Sequence, residues 1–210
     1  MSLGDPELNV RMASIYALTQ IRGDLNSILP SLIKKLADSD AYVCRSAIGA
    51  LAGFKADAHP ALKSFKDHWL QFDGRNRSAA VFASARIDLK EAGPIMRLAM
   101  YDSDPRVQAS FVRALSQCTN QPGIAVPFLI EFAHSTNTLL PDIQVARALA
   151  NFGPEAKDAV PALLDMLKQT NSNQWAGIGE ALSKIDAPAA RNAGWTAQSP
   201  AAPRKRRGSP

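Results

Sequence analysis

The sequence predicts an all-α chain built as an α-solenoid, and three observations predict it. An alanine recurs at Ala17, Ala50, Ala83, Ala114, Ala148 and Ala181, in steps of 33, 33, 31, 34 and 33 residues. That is the length of one two-helix unit copied along a chain. The fourth residue after each alanine is apolar in every copy: Ile21, Phe54, Ile87, Cys118, Phe152 and Ile185. No stretch shows the period-two alternation of a half-buried strand.

Each alanine marks a second helix. Two residues before it stand Ile15, Ile48, Val81, Val112, Ala146 and Gly179, which join the alanine and the +4 residue in one stripe at helical spacing. Four residues before it the side chain is small in five copies of six, which lets a neighbouring helix approach closely. A first helix precedes each of these from the second unit on. Its apolar sets are Leu29, Leu32, Ile33 and Leu36, then Leu62, Phe65, Trp69, Leu70 and Phe72. Ile95, Leu98 and Ala99, then Phe128, Ile130 and Phe132, and Val160, Leu163, Leu164 and Leu167 continue the series. Gly23-Asp24, Gly93-Pro94, Pro122-Gly123 and Gly153-Pro154 punctuate one kind of join. Asp38-Ser39-Asp40 and Asp102-Ser103-Asp104-Pro105 supply N-cap chemistry at the other. The expected layout is a lead over residues 1–4, a repeat array over 5–186 that opens directly in a second helix, and a tail over 187–210.

The segment Phe152-Gly153-Pro154-Glu155-Ala156-Lys157-Asp158-Ala159-Val160-Pro161-Ala162-Leu163-Leu164 resembles the HEAT repeat, in its short bacterial form known from phycobilisome-lyase-like proteins. That resemblance implies a right-handed superhelix of about six helix pairs, the first lacking its first helix. It implies a kinking proline inside each first helix, a slot held by Pro30, Pro94, Pro127 and Pro161, with Lys63 in the second copy. It also implies a ladder between units, made by an Asp in the turn and an Arg six residues on. Asp5 with Arg11 keeps both partners, Asp38 and Asp102 keep the acid, and Arg77 keeps the base. Cys44, Gln108, Pro141 and Trp175 stand in other base slots, so the ladder is incomplete.

Of the 24 basic and 19 acidic residues, 19 of each fall within residues 1–186, so the array is formally neutral. The net +5 lies in an Ala- and Pro-rich tail through Arg191, Arg204, Lys205, Arg206 and Arg207, a composition expected to be disordered. That tail reads as a secondary electrostatic contact or, in a eukaryote, a nuclear localisation signal. No apolar run approaches the roughly 20 residues of a membrane span, and no signal peptide is recognisable, so a cytoplasmic location is expected. Cys44 and Cys118 stand 74 residues apart with no metal-binding or redox spacing.

Catalytic chemistry is thin. His59, His68 and His134 belong to no ligand motif, and there is no nucleophile elbow or phosphate loop. The chain is therefore read as non-enzymatic, with no cofactor and no metal. The resemblance places binding on the second helices, which line the concave face of such arrays. Residues one before and three after each anchoring alanine share a face: Tyr16 and Gln20, Gly49 and Gly53, Phe82 and Arg86, Arg113 and Gln117, Arg147 and Asn151, Glu180 and Lys184. Arg45 extends that row, and guanidinium groups along a groove suit carboxylates or phosphates. The expected function is a scaffold that binds a protein partner there. Nucleic-acid binding through the same row and tail is the alternative, disfavoured by the neutral array. Phycobilin handling is a third, implied by the family name with no residue to carry it. Self-association through an uncapped first repeat is a further expectation, and Trp195 reads as a tail residue able to anchor a partner.

Overall fold

The computed structural model describes residues 3–20, 23–135, 139–170 and 172–196, without the side chains of residues 172 and 173. The described residues form helices and connecting turns, with no strand among them. Two compact units divide the chain, Met1–Ala114 and Leu115–Pro210.

In the first unit α1 (Leu8–Gln20), α3 (Ala41–Gly53) and α5 (Gly74–Asp88) pack side by side, α1 on α3 and α3 on α5. A second layer holds α2 (Leu25–Lys34), α4 (Pro60–Asp67) and α6 (Gly93–Met100), with α4 against both α2 and α6. The layers join through α2 on α3, α4 on α5 and α5 on α6. α7 (Pro105–Ser116) begins in this unit, whose last residue is Ala114. In the second unit α8 (Pro122–Ala133) packs on α9 (Asp142–Ala150), α9 on α11 (Ser172–Ile185), and α10 (Val160–Gln169) on α11.

Helix starts follow the cap chemistry in the sequence. Asp24, Asp40, Asp73 and Asp186 each accept a hydrogen bond from a backbone N–H of the helix they precede. Prolines split into two roles: Pro30 and Pro127 lie inside α2 and α8, whereas Pro94 and Pro161 sit in the first turn of α6 and α10. The expected internal kink is absent from the latter two, because a proline in the first turn displaces no helical hydrogen bond. Before α10 the chain instead winds through a 3₁₀ segment, Gly153–Ala159.

The columns pack as the spacing requires. Ile15, Ile48, Val81, Val112 and Ala146 are all buried, and so are Ala50, Ala83, Ala114, Ala148 and Ala181. Ser84 stands where the other copies have leucine; it is fully buried and its Oγ has no hydrogen-bond partner. Leu70, expected in a first-helix core, lies past the end of α4 and is 94% exposed.

Arginines join one helix pair to the next. Arg11 donates to the backbone oxygens of Asp5 and Pro6 and forms an ion pair with Asp38 at 3.3 Å. Arg77 repeats the arrangement: it donates to the Phe72 oxygen and grips Asp102 with Nη2 at 3.2 Å and Nε at 2.8 Å, the latter a charge contact without hydrogen-bond alignment. The acid partner therefore belongs to the following pair. Where the base is missing the slot is still used locally, by Cys44 toward the Leu36 oxygen and Gln108 toward the Asp102 oxygen.

The expected tail boundary moves. Residues beyond 186 continue as α12 (Ala187–Asn192), which packs on α11. Trp195, expected to reach for a partner, instead lies over Gly179 of α11, where any β-carbon would overlap its indole. The remaining tail, including Arg204, Lys205, Arg206 and Arg207, falls outside the described residues, as does Ile21.

Candidate binding face

Burial of one helix stripe fixes which stripe is left outside. On α1, α3, α5 and α7 the outer stripe runs through the positions eight, five and one before the anchoring alanine and three after it. The fifteen of its positions that fall in the first unit hold five arginines, Arg45, Arg75, Arg86, Arg106 and Arg113, and no carboxylate.

Two of the five are committed to aspartates at helix starts. Arg45 is half-buried; its Nε donates to Asn76 Oδ1 at 3.1 Å, its Nη2 lies 3.7 Å from Asp73, and its guanidinium covers the Tyr42 ring at 5.4 Å. Arg106 holds both oxygens of Asp104, and that bond keeps the Asp104 carboxyl below its ordinary range. Arg113 is exposed and stacks over Phe82 at 5.5 Å. Arg75 and Arg86 are exposed, and neither side chain has an ion pair or hydrogen bond among the described residues.

Beside this stripe a groove of about 490 Å³ opens between α1 and α3. Met12, Ile15, Tyr16, Ala50 and Phe54 give it apolar walls, with Gly49 and Gly53 on α3. Its two aliphatic hydroxyls are already engaged, Ser46 with Met12 Sδ and Thr19 with the Tyr16 backbone oxygen. A β-carbon on either glycine would meet nothing within 4 Å. Neither has positive φ, so neither backbone conformation nor internal packing calls for glycine there. Tyr16, 67% exposed, stands at the rim, with Gln20 exposed at the end of the same helix.

In the second unit the face has another character. Gln117, Arg147 and Asn151 are exposed, and Asn151 donates to the Ser116 oxygen at 3.3 Å. Glu180 lies on the same stripe, paired with Lys184 at 2.9 Å. The Lys184 hydrogen bond and charge, then the Arg147 charge, hold the Glu180 carboxyl below its ordinary range. The expected row of arginines is thus acid-free over α1 to α7 and mixed in sign in the second unit.

A second groove, about 620 Å³, lies in the other layer between α4 and α6, walled by Trp69, Leu70, Pro94, Leu98 and Tyr101. Sequence periodicity missed it, because Leu70 and Leu98, which wall it, read as first-helix core residues. Cys44 is buried and burial pushes its thiol up to about 11, which suits packing and not nucleophilic chemistry. Among the described residues no three His, Cys, Asp or Glu side chains gather in a way that could hold a metal ion. No described helix is long and apolar enough to cross a membrane.

No family model matches the chain, and no curated protein matches it. Among solved structures it is similar to two crystal structures of engineered proteins from the Northeast Structural Genomics Consortium. The first aligns at a TM-score of 0.53 and 20% identity, covering 92% of this chain and 95% of the other. The second aligns at 0.53 and 21%, covering 91% of this chain but only 59% of its counterpart. At such identities the likeness concerns the fold alone.

Proposed function

We propose that this chain is a non-enzymatic HEAT-type scaffold, a right-handed solenoid of about six helix pairs, that binds a protein partner along the outer stripe of its second helices. One observation carries the binding reading: across α1 to α7 that stripe is acid-free, and it adjoins an apolar groove that packing within the chain leaves open. Side-by-side packing of α1, α3 and α5, together with the Arg11–Asp38 and Arg77–Asp102 ion pairs between successive helix pairs, supports the repeat reading. A solenoid exposes one such face continuously, which suits an elongated partner.

The test is affinity capture from the source cell with the parent chain and with the triple variant Arg86→Glu, Arg113→Glu, Arg147→Glu. A specific partner held by the parent and lost by the folded variant is the expected result. Capture indifferent to the reversal would sink the proposal.

Arginine-rich stripes also suit phosphates, so nucleic acid is the second reading. It requires saturable binding of oligonucleotides that weakens steeply as salt is raised. The equal count of acids and bases in residues 1–186 favours the protein partner.

A further inference from the structure

Glycine inside a helix is unfavourable relative to alanine, chiefly through the greater freedom of the unfolded chain. Gly49 and Gly53 are one turn apart on the outer stripe of α3, and their surroundings within the chain would accept a larger side chain at both. What the glycines do provide is depth, for they keep the α1–α3 groove open beside Met12, Tyr16 and Phe54. A pocket of about 490 Å³ walled by Met12, Ile15, Ala50 and Phe54, with Ser46 and Thr19 engaged, takes a bulky apolar side chain. Beyond it the only charges on the stripe of the first unit are cationic, and Arg86 and Arg113 occupy the columns of Gly53 and Gly49 on the next two second helices.

We propose that this face binds an extended acidic peptide segment, one bulky apolar residue of which anchors in the Gly49–Gly53 groove while its carboxylates lie on Arg86 and Arg113. The inference rests on the partner-binding reading above and specifies the chemistry of the partner. Charge complementarity selects the acid, and the groove selects the anchor. Packed helices are spaced by about 9 Å, so Arg86 on α5 lies roughly 13 Å from the groove, and the Arg113 guanidinium, 5.5 Å from the Phe82 ring, is carried to the same helix. An extended chain advances about 3.3 Å per residue, which places the acids from about four residues beyond the anchor onward. An apolar anchor suits this pocket better than a nucleobase, because its inner walls are Met12, Ile15, Ala50 and Phe54 and its inner hydroxyls are engaged, leaving the polar edges of a base without partners.

Fluorescence anisotropy with synthetic labelled peptides tests the proposal on the full chain. The probe is a Gly/Ser peptide of about twelve residues bearing one tryptophan and glutamates about four to eight residues away, made in both chain directions. Controls replace tryptophan by alanine, or the glutamates by lysines. The expected result is that at least one direction binds about tenfold more tightly than either control. Gly49→Leu, a substitution the open space allows, should abolish the advantage of the tryptophan; Arg86→Glu with Arg113→Glu should abolish that of the glutamates. Circular dichroism verifies that each variant is folded. Equal binding of probe and controls, no binding by any peptide, or binding only of a thymidine decanucleotide run in parallel would overturn it. If the peptides fail while a captured protein is still lost on arginine reversal, the scaffold reading survives and the acidic-segment inference does not.

Discussion

Arg77 does two jobs with one guanidinium: it closes the turn carbonyl of Phe72 in its own helix pair and neutralises Asp102, 9% exposed, in the next. Removing it as Arg77→Met leaves a buried carboxylate without its cation, and the expected loss is about 2–4 kcal/mol, read from urea denaturation. Ser84 is the opposite case, a buried hydroxyl without a partner in a leucine column. Ser84→Ala should stabilise the fold by about 1 kcal/mol in the same assay, and a destabilised variant would show that the hydroxyl does find a partner. At Asp38 burial pushes the carboxyl up, but bonds from Lys35 and the Asp40 N–H and the charges of Lys35 and Arg11 outweigh it, so the folded value lies below the ordinary range. The folded state therefore holds its proton less tightly than the unfolded state. This contribution to stability is present above about pH 4 and is lost as the pH falls through the lower folded value. Asp38→Asn should flatten that acid limb of the stability profile. Both ladder arginines were legible in the sequence as links between units, and each grips the aspartate of the following pair, Arg11 with Asp38 and Arg77 with Asp102. Spacing did not show that Arg11 also binds the backbone oxygens of Asp5 and Pro6, because main-chain acceptors leave no mark in the residue pattern.

Helix α3 shows how an element can satisfy its core and leave its outer face unfilled. Gly49→Ala should raise stability by about 0.5–1 kcal/mol, because alanine favours the helix and its methyl meets no neighbour; a shift of the thermal midpoint checks it. Gly179 on α11 answers the other way. There a methyl would overlap Trp195, so Gly179→Ala should displace the indole and loosen α12, seen as a change in tryptophan emission that a Trp195→Phe background lacks. Second helices were readable because six copies of one column average out local exceptions. First helices were less so: their proline slot mixes an internal role in α2 and α8 with a starting role in α6 and α10. α12 was missed altogether, since six residues of Ala-Pro-Ala-Ala-Arg-Asn carry no periodicity, and only the Asp186 cap hinted at a start.

Across the molecule, stability is distributed over two compact units and not held in one centre. A cavity made by Leu163→Ala, at a fully buried position in α10, should cost about 2–5 kcal/mol. Hydrogen exchange should rise in Leu115–Pro210 well before Met1–Ala114, and uniform acceleration would contradict independent units. The candidate face was partly legible at this scale: Tyr16, Phe82, Arg86 and Arg113 follow from register alone, whereas the groove between α1 and α3 depends on two glycines whose vacant surroundings no sequence shows. Separate columns carry the interior and the outer stripe, and that separation bears on descent as well as stability. Each outward position can drift through many side chains while the alanine column stays fixed. Chains sharing this backbone are therefore free to differ most along the outer stripe, where the interior sets no limit on the side chain.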